Sequence, residues 1–193
     1  VSRLDASFFA RSVHEVAPDL IGCGLRFEGV GGIIVEVEAY EGTDPASHSY
    51  RGLTRRTAPM FGPPAHAYVY LSYGIHTCLN LVCEPEGSPA AVLVRALEPR
   101  WGIEVMRRRR GRSDLRDLCS GPGKVGQALA IGTEWSGAPL TEPPFELLPR
   151  DDHWRAVAVE RGPRIGISVA TERPWRFCAA GSEYLSRPLA VAR

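Results

Sequence analysis

Apolar and polar positions alternate regularly at 33–40, IIVEVEAY. A period of two is the mark of a β-strand. It places Ile33, Val35, Val37 and Ala39 on one face, and Ile34, Glu36, Glu38 and Tyr40 on the other. The same reasoning predicts strands at 23–28 and 32–40 about a Gly-rich turn at 29–32, and further strands at 66–74, 76–84 and 90–99. The pair 66–74 and 76–84 reads as a hairpin turning at Gly74–Ile75, and late strands are expected at 155–160, 164–169 and 175–179. Helical spacing appears in DASFFARSVHEVAPDLIG, where Asp5 is a candidate N-cap and Phe8, Phe9, Val13 and Val16 form an apolar stripe. Helices are also predicted at 100–110 and in LCSGPGKVGQALAI, which begins near Ser120. Residues 41–66 and 132–153 read as long loops; loops of that length are usually functional or mobile. No internal repeat or low-complexity linker divides the chain. The expectation is one domain over 1–193, of α+β class, with a curved, largely antiparallel sheet flanked by a few helices.

Composition narrows the picture. At 193 residues, 44% hydrophobic and 23% charged, the chain has the make-up of an ordinary globular protein. No apolar run approaches a membrane span, and VSRLDASFFARSVHEV lacks the core of a signal peptide. The five cysteines, Cys23, Cys78, Cys83, Cys119 and Cys178, form no CxxC pair, so reduced thiols and a cytoplasmic location are expected. Neither zinc-finger spacing nor HExxH occurs, and no metal or other cofactor is expected. Net charge is +1, so nothing global advertises a polyanionic partner. The basic residues are nevertheless clustered and almost all arginine: RGLTRR at 51–56 and RRRRGR at 107–112 are either solvated faces or phosphate contacts. SGPGKV is not a phosphate-binding P-loop: Leu118 occupies the position of the first glycine, and Val125 follows Lys124 where Ser or Thr is required.

Candidate chemistry comes from polar residues inside apolar strands. Glu38, Arg95 in VLVRALEP and Asn80 in HTCLNLV are three such residues. A buried charge costs several kcal/mol unless it is paired, so Glu38 and Arg95 are natural partners, either as a plain salt bridge or in strands with one wet face. Glu36 reads as an edge or solvent-facing residue. Tyr40, Tyr68, Tyr70 and Tyr73, with His48 in the intervening loop, are either ordinary sheet packing or flat faces for a planar substrate such as a nucleobase.

Taken in order and spacing, VEVEAYEG…ASHSYRG, MFGPPAHAYVYLSYGIHTCLNLV, VLVRALEP and LCSGPGKVGQALAI resemble the alkyladenine (3-methyladenine) DNA glycosylase family over residues from about 6 to 186. The resemblance implies a base-excision repair enzyme that flips an alkylated or deaminated purine out of duplex DNA and hydrolyses its N-glycosidic bond. It implies that Glu38 is the general base for a water held also by Arg95 and by the Ile165 carbonyl. Tyr40 would stack on one face of the base, His48 and Tyr70 on the other, and Asn80 would reject the 2-amino group of guanine. Tyr73 would wedge into the minor groove, and Arg55 and Arg56 would contact the DNA backbone. Its implied partner is damaged double-stranded DNA, with no membrane, and its implied state is a monomer. Where other members often carry aromatics after the hairpin tip, this chain has His76 and Thr77. Lys124 is the sole lysine, which argues against a Schiff-base lyase step. Two other readings stay open on residues alone: a non-enzymatic nucleic-acid binder, and a hydrolase of free nucleosides.

Overall fold

The alternating segment at 33–40 becomes the centre of a long strand, β2 (Val30–Glu41), in a computed structural model that describes residues 3–189. β2 makes a tight hairpin with β1 (Gly24–Phe27) and runs antiparallel to β5 (Ala90–Trp101) on its other side. β3 (Ala67–Ser72) and β4 (His76–Val82) form the expected hairpin, and β4 joins β5. β6 (Phe145–Leu148) pairs with β1, giving the order β3-β4-β5-β2-β1-β6. β7 (Val159–Gly162) and β8 (Arg176–Ala179) complete the eight-stranded sheet, with β8 lying against Glu36–Glu38. Every pairing is antiparallel.

One face of the sheet is the apolar core. Val37 and Ala39 of β2, Leu79 and Leu81 of β4, and Val92 and Val94 of β5 are buried there. Against them pack Val13, Val16, Ala17 and Leu20 of α2 (Val13–Leu20) and Val125, Ala128 and Leu129 of α5 (Pro122–Leu129). The predicted first helix is broken in two. Asp5 caps the four-residue α1 (Ala6–Phe9) through the Ser7 and Phe8 N–H groups, and the Ser12 hydroxyl caps α2 through the His14 N–H, so the chain turns between them. α3 (Ile103–Arg110) lies within the predicted 100–110, followed by a single turn, α4 (Leu115–Leu118), and by α5.

Four expectations need correction. No strand covers 164–169: that stretch is irregular, and its backbone serves the site instead. The strand expected at 155–160 lies later, at β7, and the supposed loop 132–153 contains β6 and the start of a short helix, α6 (Asp152–Arg155). Glu36 is not at an edge or in solvent; it is wholly buried. The physical reason is that its face of β2 is closed over by Arg95, Arg176 and Ser186, whose donors surround the carboxylate. Among the described residues, no helix is long and apolar enough to cross a membrane.

Candidate active site

Sheet register builds the site. Tyr68 lies opposite Asn80, Asn80 opposite Leu93, Leu93 opposite Glu38, and Glu38 opposite Arg176, one row across five strands. Residues aligned across neighbouring strands share a face, and this row lies on the face away from α2 and α5. The β2–β5 ladder is interrupted beside it: Ile34 pairs with Leu97 and Glu36 with Ala96, but Val37 pairs with Val94. Val35 and Arg95 are thus extra residues in their strands. Such bulges re-aim side chains, and this one brings Arg95 between the two carboxylates of β2.

The Glu38 carboxylate is saturated by three donors from three segments. Oε2 accepts from the Tyr40 hydroxyl at 2.8 Å and from Arg95 Nη1 at 3.3 Å, while Oε1 accepts from the Ile165 N–H at 2.7 Å. Glu38 is itself fully buried. Burial pushes its pKa above the usual carboxylate range, against the pull of Arg95, the Ile165 N–H and the Tyr40 hydroxyl. The phenol of Tyr40 is raised, chiefly by burial and then by the Glu38 charge, and stays a donor.

In front of this carboxylate lies a cavity of about 600 Å³, within the roughly 300–1,000 Å³ typical of small-molecule sites. Tyr40, Tyr70, His48, Asn80, Arg95 and Ile165 all line it. Tyr68 and Tyr70 pack in a small apolar cluster with Met60 and also meet Tyr40 and His48 around this cavity. His48 is set by its Nδ1 against the Tyr68 hydroxyl at 3.0 Å and stands edge-on to Tyr70, with ring centroids 4.6 Å apart. Desolvation and then the charge of Arg56 push the His48 pKa down, which favours a neutral ring. Asn80 Nδ2 donates to the Tyr68 carbonyl at 3.1 Å, fixing the amide on the cavity floor.

The remaining candidates divide. Tyr73 stands at the hairpin tip on the cavity rim and is 90% exposed. Arg56 lines the cavity and lies over Tyr70 at 5.3 Å, whereas Arg55 is exposed and outside it. Ile165 reaches the site through its N–H, which holds Glu38 directly; the resemblance assigns its carbonyl to a water. Lys124 lies outside the cavity wall, bonded to Asp117 and to Ser120 Oγ.

Sequence reasoning missed several contributors. The Arg164 guanidinium stacks over Tyr40 at 4.6 Å and is pinned by a wholly buried ion pair with Asp44. Arg187 lines the cavity from the C-terminal segment. Arg187 lies in an irregular segment without a periodic signal, and Arg164 opens the stretch 164–169, whose alternation pointed to a strand and not to the cavity. Arg176, inside the apolar run of β8, had the same signal as Arg95 and could have been found by it.

The family model described as methylpurine-DNA glycosylase matches residues 7–183. The chain belongs to the methylpurine-DNA glycosylase family. By that membership it is a DNA glycosylase, an enzyme whose substrate is DNA. A relative from Rhodopseudomonas palustris strain HaA2 is 61% identical over 94% of this chain and 89% of its own length. One from Rhizobium meliloti is 59% identical over 95% and 96%, and one from Nitrosospira multiformis 58% over 93% and 92%. All three carry the name "Putative 3-methyladenine DNA glycosylase". Within this glycosylase, then, the buried carboxylate and the aromatic cavity lie side by side, separated only by the groups that hold the carboxylate.

Proposed function

We propose that the protein is a monofunctional base-excision glycosylase for alkylated purines, which turns the damaged nucleotide out of duplex DNA and hydrolyses its N-glycosidic bond with water activated by Glu38. The observation that carries this reading is the Glu38 carboxylate, held by three donors directly behind a cavity walled by Tyr40, Tyr70 and His48.

The physical steps follow from these residues. Extruding a base costs a few kcal/mol, least for a damaged one. Tyr73 offsets part of that by stacking into the gap, and the cavity rings recover about 1–3 kcal/mol by stacking on the everted base. Alkylation at N3 or N7 makes the purine cationic, so electron-rich tyrosine faces favour it and it is already a good leaving group. Asn80, its amide fixed by the Tyr68 carbonyl, would reject a 2-amino substituent by collision. Arg55 and Arg56 contact phosphates at the mouth.

For the chemistry, the Tyr40 hydroxyl yields Oε2 to a water that Arg95 also holds. As the bond between C1′ and the base nitrogen breaks, its electron pair leaves with the purine and neutralises the ring cation. Water oxygen bonds to C1′ and its proton passes to Glu38. The ionised carboxylate also stabilises the oxocarbenium-like sugar while it forms. No amine joins the sugar, so the product strand keeps its abasic site uncut.

The test is excision from duplexes with one defined alkylpurine. Glu38→Gln should lower single-turnover base release by about 10²–10⁴-fold while lesion-duplex affinity stays near wild type. Borohydride should trap no protein–DNA adduct. Release by Glu38→Gln at the wild-type rate would end this reading in favour of another base, binding of the lesion duplex with no release by the wild type would favour a binding module, and efficient trapping would end the monofunctional part.

A further inference from the structure

Glu36 is the other buried acid of β2, and the mechanism above makes no use of it. It is wholly buried and takes four donors. Oε1 accepts from Arg95 Nε at 2.9 Å, Arg176 Nε at 2.8 Å and Ser186 Oγ at 2.7 Å, and Oε2 accepts from the Ser186 N–H at 2.6 Å. Arg95 Nη2 also reaches Ser186 Oγ, at 3.3 Å. Two acids and two arginines, Glu36, Glu38, Arg95 and Arg176, thus form one neutral cluster among strands β2, β5 and β8.

The division of Arg95 matters. A guanidinium binds a lone carboxylate best through two parallel N–H groups. Here Glu36 takes the Nε edge at 2.9 Å, and Glu38 receives a single Nη1 contact at 3.3 Å. A free Arg95 would close on Glu38 bidentately, clamping the base and lowering its affinity for a proton. We infer that Glu36 is a positioning residue: by holding Arg95 through Nε, together with Ser186 and Arg176, it keeps Glu38 from a bidentate clamp and so keeps it basic, and it leaves the outer N–H groups of Arg95 for the cavity. This rests on the reading of Glu38 as general base.

The groups that bear on Glu38 from each packed element are Arg95 of β5, Glu36 and Tyr40 of β2, Arg176 of β8 in register with it, and the Ile165 N–H; Tyr70 of β3 shares the cavity. Around Glu36 are Arg95, Arg176, Ser186 and, in register on β8, Cys178. Glu36 adds its own charge to the upward push on Glu38. Since the rate requires ionised Glu38, it rises with pH through that group's pKa, and loss of Glu36 moves the rise to lower pH.

The experiment is the pH profile of single-turnover excision. Glu36→Gln should carry the acid limb to lower pH and reduce the plateau rate on the order of tenfold, with lesion-duplex affinity unchanged. Arg176→Met, which leaves Glu36 to bind Arg95 alone, should carry the limb the other way, so either variant suffices if one fails to fold. In an Arg95→Ala background, Glu36→Gln should keep only the shift due to its own charge and lose the part that passes through Arg95, so its effect should be smaller than in wild type. A merely structural Glu36 would lower the melting temperature and leave both limbs in place; fixed limbs, or fully additive effects in that background, overturn the inference. An inactive Glu38→Gln alongside fixed limbs refutes this inference alone, whereas an active Glu38→Gln refutes the general-base reading beneath it.

Discussion

Tyr73 holds a backbone conformation that aromatic residues seldom adopt. Its φ is +51°, Gly74 follows at +73°, and the Ile75 N–H closes the turn on the Ser72 carbonyl at 3.1 Å. Two successive positive φ values match the twist of the flanking strands and favour Asn-Gly or Gly-Gly. A tyrosine there stores strain of about 1–3 kcal/mol while leaving its ring 90% exposed. Stability alone would not select it, and the proposed wedge role supplies another reason to keep it. Replacement separates the two effects. Tyr73→Gly removes the strain and adds unfolded-state entropy of similar size, so stability should stay within about 1 kcal/mol of wild type. If the ring fills the space of the everted base, excision should fall on the order of ten- to hundred-fold, the value of one lost stack. Melting temperature and single-turnover rate, measured on the same preparation, check both halves; unchanged excision would remove Tyr73 from the mechanism.

The element that aims this tip is the β3–β4 hairpin, and α5 supports it from behind. Gly126, inside α5, lies against β4 so closely that a Cβ would stand 2.3 Å from the Thr77 carbonyl oxygen and 2.5 Å from its hydroxyl. Gly to Ala in a helix interior ordinarily gains about 0.5–1 kcal/mol. Here backbone would have to part from backbone, at a cost of about 1–3 kcal/mol, so Gly126→Ala should lower the melting temperature by roughly 2–12 °C and slow excision by shifting the strand that carries Asn80. Gly123→Ala is the milder comparison: its Cβ would meet Cβ and Cγ of His76, both at 2.9 Å, so β4 would have to shift less. An unchanged melting temperature and excision rate in Gly126→Ala would mean that α5 does not set the hairpin. The elements readable in the sequence are those whose pattern is their own. β2 carries strong alternation, the hairpin and β5 are apolar runs bounded by turn residues, and Asp5 is a local cap. β6 is four residues whose identity as a strand comes from its partner β1, and 164–169 alternates but has no strand to pair with. Glu38, Arg95 and Asn80 stood out as polar residues in apolar strands, whereas the burial of Glu36 depends on β8 arriving from far along the chain.

At the scale of the molecule, a net charge of +1 must be arranged so that one face meets a polyanion. Four of the five arginines in RRRRGR, the most concentrated basic run, are engaged by neighbouring groups, and Arg108 is exposed. Arg109 caps the Ala128 carbonyl in the last turn of α5 at 3.0 Å, and Arg110 binds the Leu118 carbonyl at 3.1 Å. Arg107 pairs with Glu104 at 2.6 Å and Arg112 with Asp117 at 3.1 Å. Helix C-termini carry unpaired carbonyls and negative dipole ends, so these arginines tie α3, α4 and α5 together. Arg56, by contrast, lies across Tyr70 at the cavity, and Arg55 is exposed beside it. Each phosphate contact contributes about 0.9 to the slope of log affinity against log salt. Arg55→Ala and Arg56→Ala should therefore each flatten that slope by about 1, with Arg56→Ala also weakening stacking at the mouth. Arg109→Ala should leave the slope unchanged and lower the melting temperature, since it uncaps α5 without touching a phosphate. Titrations of a lesion duplex between low and moderate salt separate these roles. A flattened slope in Arg109→Ala would move the DNA face around to α3; an unaltered slope in both Arg55→Ala and Arg56→Ala would take the 51–56 loop off it.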